Sequence, residues 1–218
     1  LGLKGIPNIS ESINLYRDIE ILRYSGGKIH IPYVTTSKGV DLIREAKKNN
    51  LDITASVSLA HITFSEKDIP EFDTNYKLIP PLRSESDLNS LKEGLVDGTL
   101  DYLTSMHEPF DIDNKKIVFD NASSGSIGLE SMFGLMSNQF TLEKTIDILT
   151  RKKTIFEVGD HPIEIGSLAD LSLFNPDKNY NFSENHILST SKNCAFVDTK
   201  HKGIVYGSIN GKNFTLNK

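Results

Sequence analysis

Apolar positions recur along this chain in short runs whose period switches between helix-like and strand-like. Between Ser10 and Tyr24, Ile13, Tyr16, Ile19 and Leu22 return every third or fourth residue. That spacing predicts a helix with this stripe inward, Ser10 as its N-cap and Gly26-Gly27 as its end. Lys28 to Val34 holds a short β-like run, Ile29-His-Ile31. Ser37 to Asn49 predicts a second helix with Val40, Leu42, Ile43 and Ala46 inward; Lys47-Lys48 at its end suits the helix dipole. Ile53 to Ser58 predicts a strand. Pro80-Pro81 forces extended backbone, and Ser84 or Ser86 then caps a helix to Leu95, closed by Asp97-Gly98. Leu100 to Ser105 predicts another strand. Ile127 to Met136 and Thr141 to Thr150 predict helices.

Strand and helix thus alternate about three times at βα spacing, which predicts parallel strands with crossover helices. Three such units do not close a barrel, and an open sheet leaves an exposed strand edge. The chain also begins at Leu1. Together these lead us to expect upstream sequence or a partner chain. After about Gly159 the pattern changes. Ile163 to Phe174, Cys194 to Thr199, Gly203 to Ile209 and Lys212 to Leu216 read as short β segments, with Asn210-Gly211 as a type I′ hairpin turn. The expected division is an α/β body over residues 1–158 and a β-rich module over residues 159–218.

Composition narrows the function classes. With 218 residues, 38% hydrophobic and 24% charged, the chain can bury a sizeable core. A net charge of -5 without a basic block points away from nucleic acid and anionic membranes. No apolar run approaches the ~18 residues of a membrane span, and no signal peptide is evident. The single Cys194 excludes an internal disulfide, fits a reducing cytoplasm and reads as a small buried residue.

The candidate chemistry centres on Asp101-Tyr-Leu-Thr-Ser-Met-His-Glu-Pro-Phe110, which has the form of a barrel strand followed by a catalytic loop. Other segments fall in order with it: Lys4-Gly-Ile-Pro-Asn-Ile-Ser-Glu11, His30-Ile-Pro-Tyr-Val-Thr-Thr-Ser37, Ile53 to His61, Lys77-Leu-Ile-Pro-Pro-Leu-Arg83, Gly94 to Asp101, Gly125-Ser-Ile-Gly-Leu-Glu130 and Gly166-Ser-Leu-Ala-Asp170. In this order and spacing the chain resembles the dihydroorotases, cyclic amidohydrolases of the amidohydrolase superfamily. The resemblance covers nearly the whole chain and corresponds to the C-terminal half or more of such a protein. It implies an α/β fold, the C-terminal part of a (β/α)₈ barrel plus a small β-rich module built from both chain termini, with the site at the C-terminal ends of the strands. Active members use one or two zinc ions to make hydroxide near neutral pH and to polarise a ring carbonyl. The implied reaction closes carbamoyl-aspartate to dihydroorotate, reversibly, in pyrimidine synthesis.

Carried over residue by residue, the resemblance predicts a damaged site. The family's metal-ligand His falls on Tyr33, whose phenol is a poor zinc ligand at its ordinary pKa of ~10. The Glu of the next strand falls on Ser56, and the first His of a Pro-His-His motif falls on Ala60, leaving His61. The substrate-binding Asn falls on Ile79. The aspartate that ligates metal and shuttles the proton falls on Met106, whose thioether cannot act as a base. A substrate-contacting His falls on Phe110. Two residues whose backbone donors hold substrate fall on Ser123 and Ser124, before Gly125. Scaffold residues such as Gly5, Pro7, Pro80, Pro81, Arg83, Gly98, Pro109 and Gly128 are kept. Loss of polar site residues with retention of turns is the pattern of a fold maintained without its chemistry.

The remaining candidates have plain readings. His107 supports its loop. His61 could join His30 or His107 on a metal, but without a carboxylate the set is short of the three ligands zinc wants. His161, His186 and His201 read as surface residues and Lys115-Lys116 as a solvated loop. Arg83 reads as a structural ion pair or, alternatively, a carboxylate ligand. Met106 either fills the barrel mouth or lines an apolar pocket with Tyr33, Ile79 and Phe110, and Glu108 is the one carboxylate near the lost base. The expectation is a non-catalytic dihydroorotase homologue, cytoplasmic and homo-oligomeric, acting as scaffold or partner subunit, with aspartate carbamoyltransferase as the candidate partner and zinc absent or weakened. The alternatives are an active zinc enzyme with its main ligands upstream, and a module that binds a small ligand without turnover.

Overall fold

Helix α1 runs over Asn8–Ser25, strand β1 over Ile29–Ile31, helix α2 over Ser37–Lys48 and strand β2 over Ile53–Ser58. The short helix α3 (Leu59–Thr63), helix α4 (Glu85–Asp97) and strand β3 (Tyr102–Thr104) follow. Helices α5 (Met132–Gln139) and α6 (Leu142–Thr150) and strands β4 (Asp170–Asn181), β5 (Lys200–Asn210) and β6 (Asn213–Leu216) complete the order. The structure is a computed structural model and describes Gly2, residues 5–151 and residues 163–217. The expected division at 158/159 and His161 lie outside the described residues. By packing, the chain forms two units, Leu1–Glu130 with Glu184–Phe196, and Ser131–Ser183 with Val197–Lys218.

In the first unit the three strands are parallel, in the order β1-β2-β3. Ile29, His30 and Ile31 face Ile53, Thr54 and Ala55; Ser56, Val57 and Ser58 face Tyr102, Leu103 and Thr104. A further parallel bridge joins His107 to Ser126. The β2 run is buried almost throughout, as expected of a parallel strand covered on both faces. Helix α2 buries Val40, Ile43 and Ala46, and Thr36 caps it by accepting from the Gly39 N–H. Ser84 caps α4, and Gly98 closes it in the left-handed conformation.

The first helix departs from its sequence reading. It begins at Asn8 with Pro7 rather than Ser10 at the N-cap; Pro7 is extended (φ -67, ψ 146), and the Ser10 N–H donates to its carbonyl at 3.0 Å. The buried face is Leu15, Ile19 and Leu22. Ile13 and Tyr16, expected inward, are 60% and 58% exposed. The helix is apolar on two sides, so periodicity alone cannot choose between them.

The helix expected from Ile127 starts only at Met132. Ser126 pairs with His107, and the Ile127 N–H donates to the Asn193 carbonyl at 2.9 Å, so tertiary bonds hold this stretch extended. Cys194 to Thr199 is a turn rather than a strand. The Ala195 N–H is taken by the Ser126 hydroxyl at 2.9 Å and Asp198 is left-handed (φ 65), which breaks any ladder there.

The second unit is an antiparallel sheet, β4-β5-β6, with α5 and α6. Asn210 pairs with Asn213, so the hairpin turn is Gly211-Lys212, one residue later than expected. Its first position has φ 58, which Gly tolerates. His201, expected on the surface, is 1% exposed, stacked on Phe182 at 4.7 Å between ring centroids. Gly134 of α5 makes room for it; a Cβ there would lie 2.5 Å from the His201 Nδ1.

Candidate functional site: the ends of three parallel strands

Two residues beyond the end of each parallel strand stands one of the positions singled out in the sequence. Tyr33 follows Ile31, Ala60 follows Ser58 and Met106 follows Thr104. Tyr33 (φ 54) and Met106 (φ 47) are both left-handed, a conformation uncommon for residues with side chains and costly to hold. Ala60 instead lies in α3, under the cap made by Ser58.

Each of these turns is held from below. The Val34 N–H donates to the Ser56 carbonyl at 2.9 Å. The Glu11 carboxylate of α1 accepts from the Thr35 N–H at 3.1 Å, the Thr36 N–H at 3.0 Å and the Thr36 hydroxyl at 2.7 Å. Asp87 of α4 accepts from the Ser37 N–H at 2.8 Å, from the Ser84 hydroxyl at 2.6 Å and from the Asn8 side chain at 3.1 Å. Burial raises its carboxyl, but these bonds, that from the Ser37 N–H first, together hold it below the usual range. Arg83, 7% exposed, donates to the Thr35 hydroxyl at 3.2 Å and to the Ile6 carbonyl. Both acceptors are neutral oxygens, and the bonds tie the turn after β1 to the start of the chain, a structural role.

His61 is 2% exposed. Its Nε2 lies 3.0 Å from the Pro80 carbonyl and 3.2 Å from that of Pro81, and its Nδ1 lies 2.7 Å from the Ser58 hydroxyl. Two carbonyls can only accept, so Nε2 carries the proton and Nδ1 accepts from Ser58. Burial pushes its pKa down to about 4, against the raising effect of the two carbonyls. His30 is likewise engaged, 2.9 Å from the Thr54 hydroxyl and 3.2 Å from that of Ser56. Burial lowers its pKa, with Asp101 opposing. His107 accepts at Nδ1 from the Gly128 and Leu129 N–H groups at 3.3 and 3.4 Å, a loop-supporting role.

Two clefts open in this unit. The first, about 420 Å³, is lined by Tyr33, His30, Ile79, Glu11 and Arg83 among others. The second, about 410 Å³, includes Ile79, Lys77, Tyr76, Phe119 and Ser124. Ile79, 61% exposed, borders both. Met106 is 5% exposed and lines neither. Phe110 and Gly125 meet directly: a Cβ on Gly125 (φ 147) would lie 2.6 Å from both the Phe110 ring and the Glu108 carboxylate. Burial raises the Glu108 pKa, and Lys115 partly offsets it.

Lys115 corrects the solvated-loop reading. It is 5% exposed, and its ammonium donates to the Ser123 carbonyl at 2.8 Å and the Gly125 carbonyl at 2.9 Å. Burial pushes its pKa down to about 8. Asn193 was also missed. Its side chain donates to the Glu108 and Gly125 carbonyls at 2.9 and 3.3 Å and accepts from the Phe110 N–H at 3.0 Å. No local signal marks an Asn so distant in sequence from the loop it ties; a buried Lys within a polar stretch is equally silent.

The residues present do not fit a zinc ion by themselves. Among the described residues no group of three or more His, Cys, Asp or Glu side chains stands close enough to hold a metal. Tyr33 and Met106 supply a phenol and a thioether at two of the three strand ends.

No protein-family model matches the chain. Curated relatives do. It is 36% identical over 218 residues to the dihydroorotase of Caldanaerobacter subterraneus subsp. tengcongensis, covering 96% of this chain and 50% of that protein. It is 36% identical over 203 residues to the dihydroorotase of Listeria monocytogenes serovar 1/2a, covering 90% and 48%. Among solved structures, the L-hydantoinase of Arthrobacter aurescens superposes with a TM-score of 0.86 at 21% identity, over 97% of this chain and 50% of that one. An inactive dihydroorotase-like domain of a CAD-like multifunctional protein from Chaetomium thermophilum superposes at 0.66 with 19% identity, over 92% and 54%.

The parallel unit with its β module is therefore part of an amidohydrolase barrel fold. By sequence the chain belongs with the dihydroorotases in particular, and it spans about half the length of the curated relatives it matches. Among the described residues no helix is long and apolar enough to cross a membrane.

Proposed function

We propose that this chain comes from a dihydroorotase-family protein that no longer performs the hydrolytic chemistry and serves pyrimidine synthesis in the cytoplasm as a scaffold or partner subunit. The observation that carries this reading is Met106. It occupies the position that the resemblance assigns to the metal-binding, proton-shuttling aspartate, and it is buried, outside both clefts. A thioether there neither ligates zinc well nor takes a proton. Tyr33, Ser56, Ala60, Ile79 and Phe110 stand at further positions that the resemblance assigns to metal- or substrate-binding residues. The two histidines nearest the strand ends, His30 and His61, spend their ring nitrogens on hydroxyls and backbone carbonyls. The subunit is a homo-oligomer in this reading, and its candidate partner is aspartate carbamoyltransferase. Support for a non-catalytic role comes from the similarity to a structure described as an inactive dihydroorotase-like domain.

A second reading, an active zinc-dependent cyclic amidohydrolase, is favoured by Glu108 alone. This carboxyl is held above its usual range beside Gly125, as a general acid or base requires. Turnover of dihydroorotate and of carbamoyl-aspartate by the full-length protein, supplied with zinc, separates the two. Rates indistinguishable from blank are expected. Rates near those of an active homologue, lost in Glu108→Gln, would overturn the non-catalytic reading.

A further inference from the structure

Residues 111–124 form a loop of the Ω kind, a surface excursion whose ends come together. Its neck is closed where the Ser123 N–H donates to the Asn114 carbonyl at 3.0 Å. Its apolar side chains do not hold it: Ile112, Ile117 and Val118 are 57%, 45% and 71% exposed. The residues turned inward are Ala122 and Lys115, 4% and 5% exposed. A lysine is rarely buried unless its ammonium is partnered. Here an ammonium fills the place that an apolar side chain would take inside the loop.

The loop is held at two levels. At its base, Asn193 donates to the Glu108 and Gly125 carbonyls and accepts from the Phe110 N–H, while the Glu108 N–H donates to the Ser126 carbonyl. These bonds fall just outside residues 111–124 and fix the hinge. Above the base, the Lys115 ammonium donates to the Ser123 carbonyl at 2.8 Å and the Gly125 carbonyl at 2.9 Å, joining the outgoing limb to the returning one. The neighbouring segment adds two bonds, from the Thr74 hydroxyl to the Lys115 carbonyl at 2.6 Å and from the Lys77 ammonium to the Asp120 carbonyl at 2.8 Å. Phe119 and Ser124 of the loop line the second cleft beside Tyr76 and Lys77, so moving the loop reshapes that cleft.

We propose that residues 111–124 are a movable wall of the second cleft, latched shut by the Lys115 ammonium and coupled to pH through it. The inference concerns the loop alone and holds whether or not the site turns over a substrate. Burial pushes the Lys115 pKa down to about 8; of the charged groups facing it, Asp73 and Glu108 oppose that shift and Lys77 adds to it. Asp111, Asp113, Lys116 and Asp120 of the loop itself are exposed. Opening returns the ammonium to water and to its ordinary 10.5, so above about pH 8 opening takes up a proton. The closed loop is therefore favoured increasingly as pH rises from 8 toward 10.5, and opening is easiest below 8.

Chymotryptic cleavage after Phe119 of the full chain, identified by mass spectrometry, reads the open population. Dividing by the rate for a free peptide of residues 111–124 removes the protease's own pH dependence. In the parent the normalised rate is expected to fall about tenfold from pH 7 to pH 9, since the latch titrates near 8 when closed and 10.5 when open. Lys115→Arg keeps charge and donors but holds its proton throughout this range, so its normalised rate should not change with pH. Lys115→Met has no latch and should be cut about tenfold or more faster than the parent at pH 7, again without pH dependence. Circular dichroism melting separates an open loop from an unfolded chain, and the parent's pH series decides even where Lys115→Met does not fold. A parent rate that does not fall with pH, or a folded Lys115→Met cut no faster than the parent, would overturn the proposal. A fall in Lys115→Arg equal to the parent's would take the coupling away from Lys115 and overturn it as well.

Discussion

Acid should destabilise this chain through His61, by an amount the structure sets. Burial holds the His61 pKa at about 4, against an ordinary 6.5. Below pH 6.5 the unfolded chain takes up a proton at this site, while the folded chain refuses it until about pH 4. Stability therefore falls as pH falls through that window and loses nothing more from this site below it. At ~1.4 kcal/mol for each pKa unit the full loss is about 3 kcal/mol, a large part of a typical domain's stability. The ring is 2% exposed and its Nε2–H is aimed at the Pro80 and Pro81 carbonyls. Protonation must occur at Nδ1, which faces Ser58, and would put a charge where only one hydroxyl can respond. The assay is the urea midpoint, followed from pH 7 to pH 4, for the parent and for His61→Gln, which cannot titrate. The parent curve should drop below the variant's, with a slope near 1.4 kcal/mol per pH unit in mid-window. Two parallel curves would mean that His61 is charged or solvated in the native state, and the packing described for Ser58, Pro80 and Pro81 would be wrong.

Three further outcomes follow from the same site. Lys115→Met leaves the Ser123 carbonyl without its lysine donor and the Gly125 carbonyl with the longer Asn193 bond, and should cost about 2 kcal/mol in urea unfolding. The parent, whose Lys115 pKa is pushed from 10.5 to about 8, should also gain stability as pH rises from 8 toward 10.5, a gain absent in Lys115→Met. Met106→Asp puts a carboxylate at a position 5% exposed; it should lower the melting temperature, with a cost of about 3 kcal/mol, and restore no dihydroorotate turnover even with zinc. Asn193→Ala removes three bonds to the 108–125 loop and should speed amide exchange at Phe110 by about tenfold while leaving β2 protected.

Much of the frame was legible because it rests on local chemistry. The alternation of strand and helix, the Ser84 cap, the Gly98 stop and the parallel order all follow from patterns a few residues long. The failures have a common cause. Where tertiary bonds decide the backbone, local pattern misleads: Ser126 and Ile127 are held out of the helix by His107 and Asn193, residues 129–131 turn, and Cys194 to Thr199 is bent by its partners. The two apolar sides of α1 gave a correct helix with its inner face half right: Ile19 and Leu22 are buried, Ile13 and Tyr16 are not. Glu11, Asn193 and Lys115 were invisible as structural residues because each acts on backbone groups far away in sequence or masked by neighbouring charges.

The strand ends show backbone and chemistry coming apart. Tyr33 and Met106 hold left-handed conformations that neither a Tyr nor a Met prefers, and each stands two residues past its strand. Such a conformation costs of order 1–3 kcal/mol and persists only where surrounding structure dictates it. Around Tyr33 that structure is explicit. Glu11 grips Thr35 and Thr36, Arg83 grips Thr35, and Val34 bonds to Ser56. The network fixes the main chain without reference to the side chain that projects from it. The side chain at Tyr33 can therefore be exchanged without disturbing the turn that presents it. Among the described residues, no group of side chains at these strand ends stands close enough to hold a metal. A single ligand introduced at one such position is expected not to make a zinc site, because zinc needs several donors converging at once.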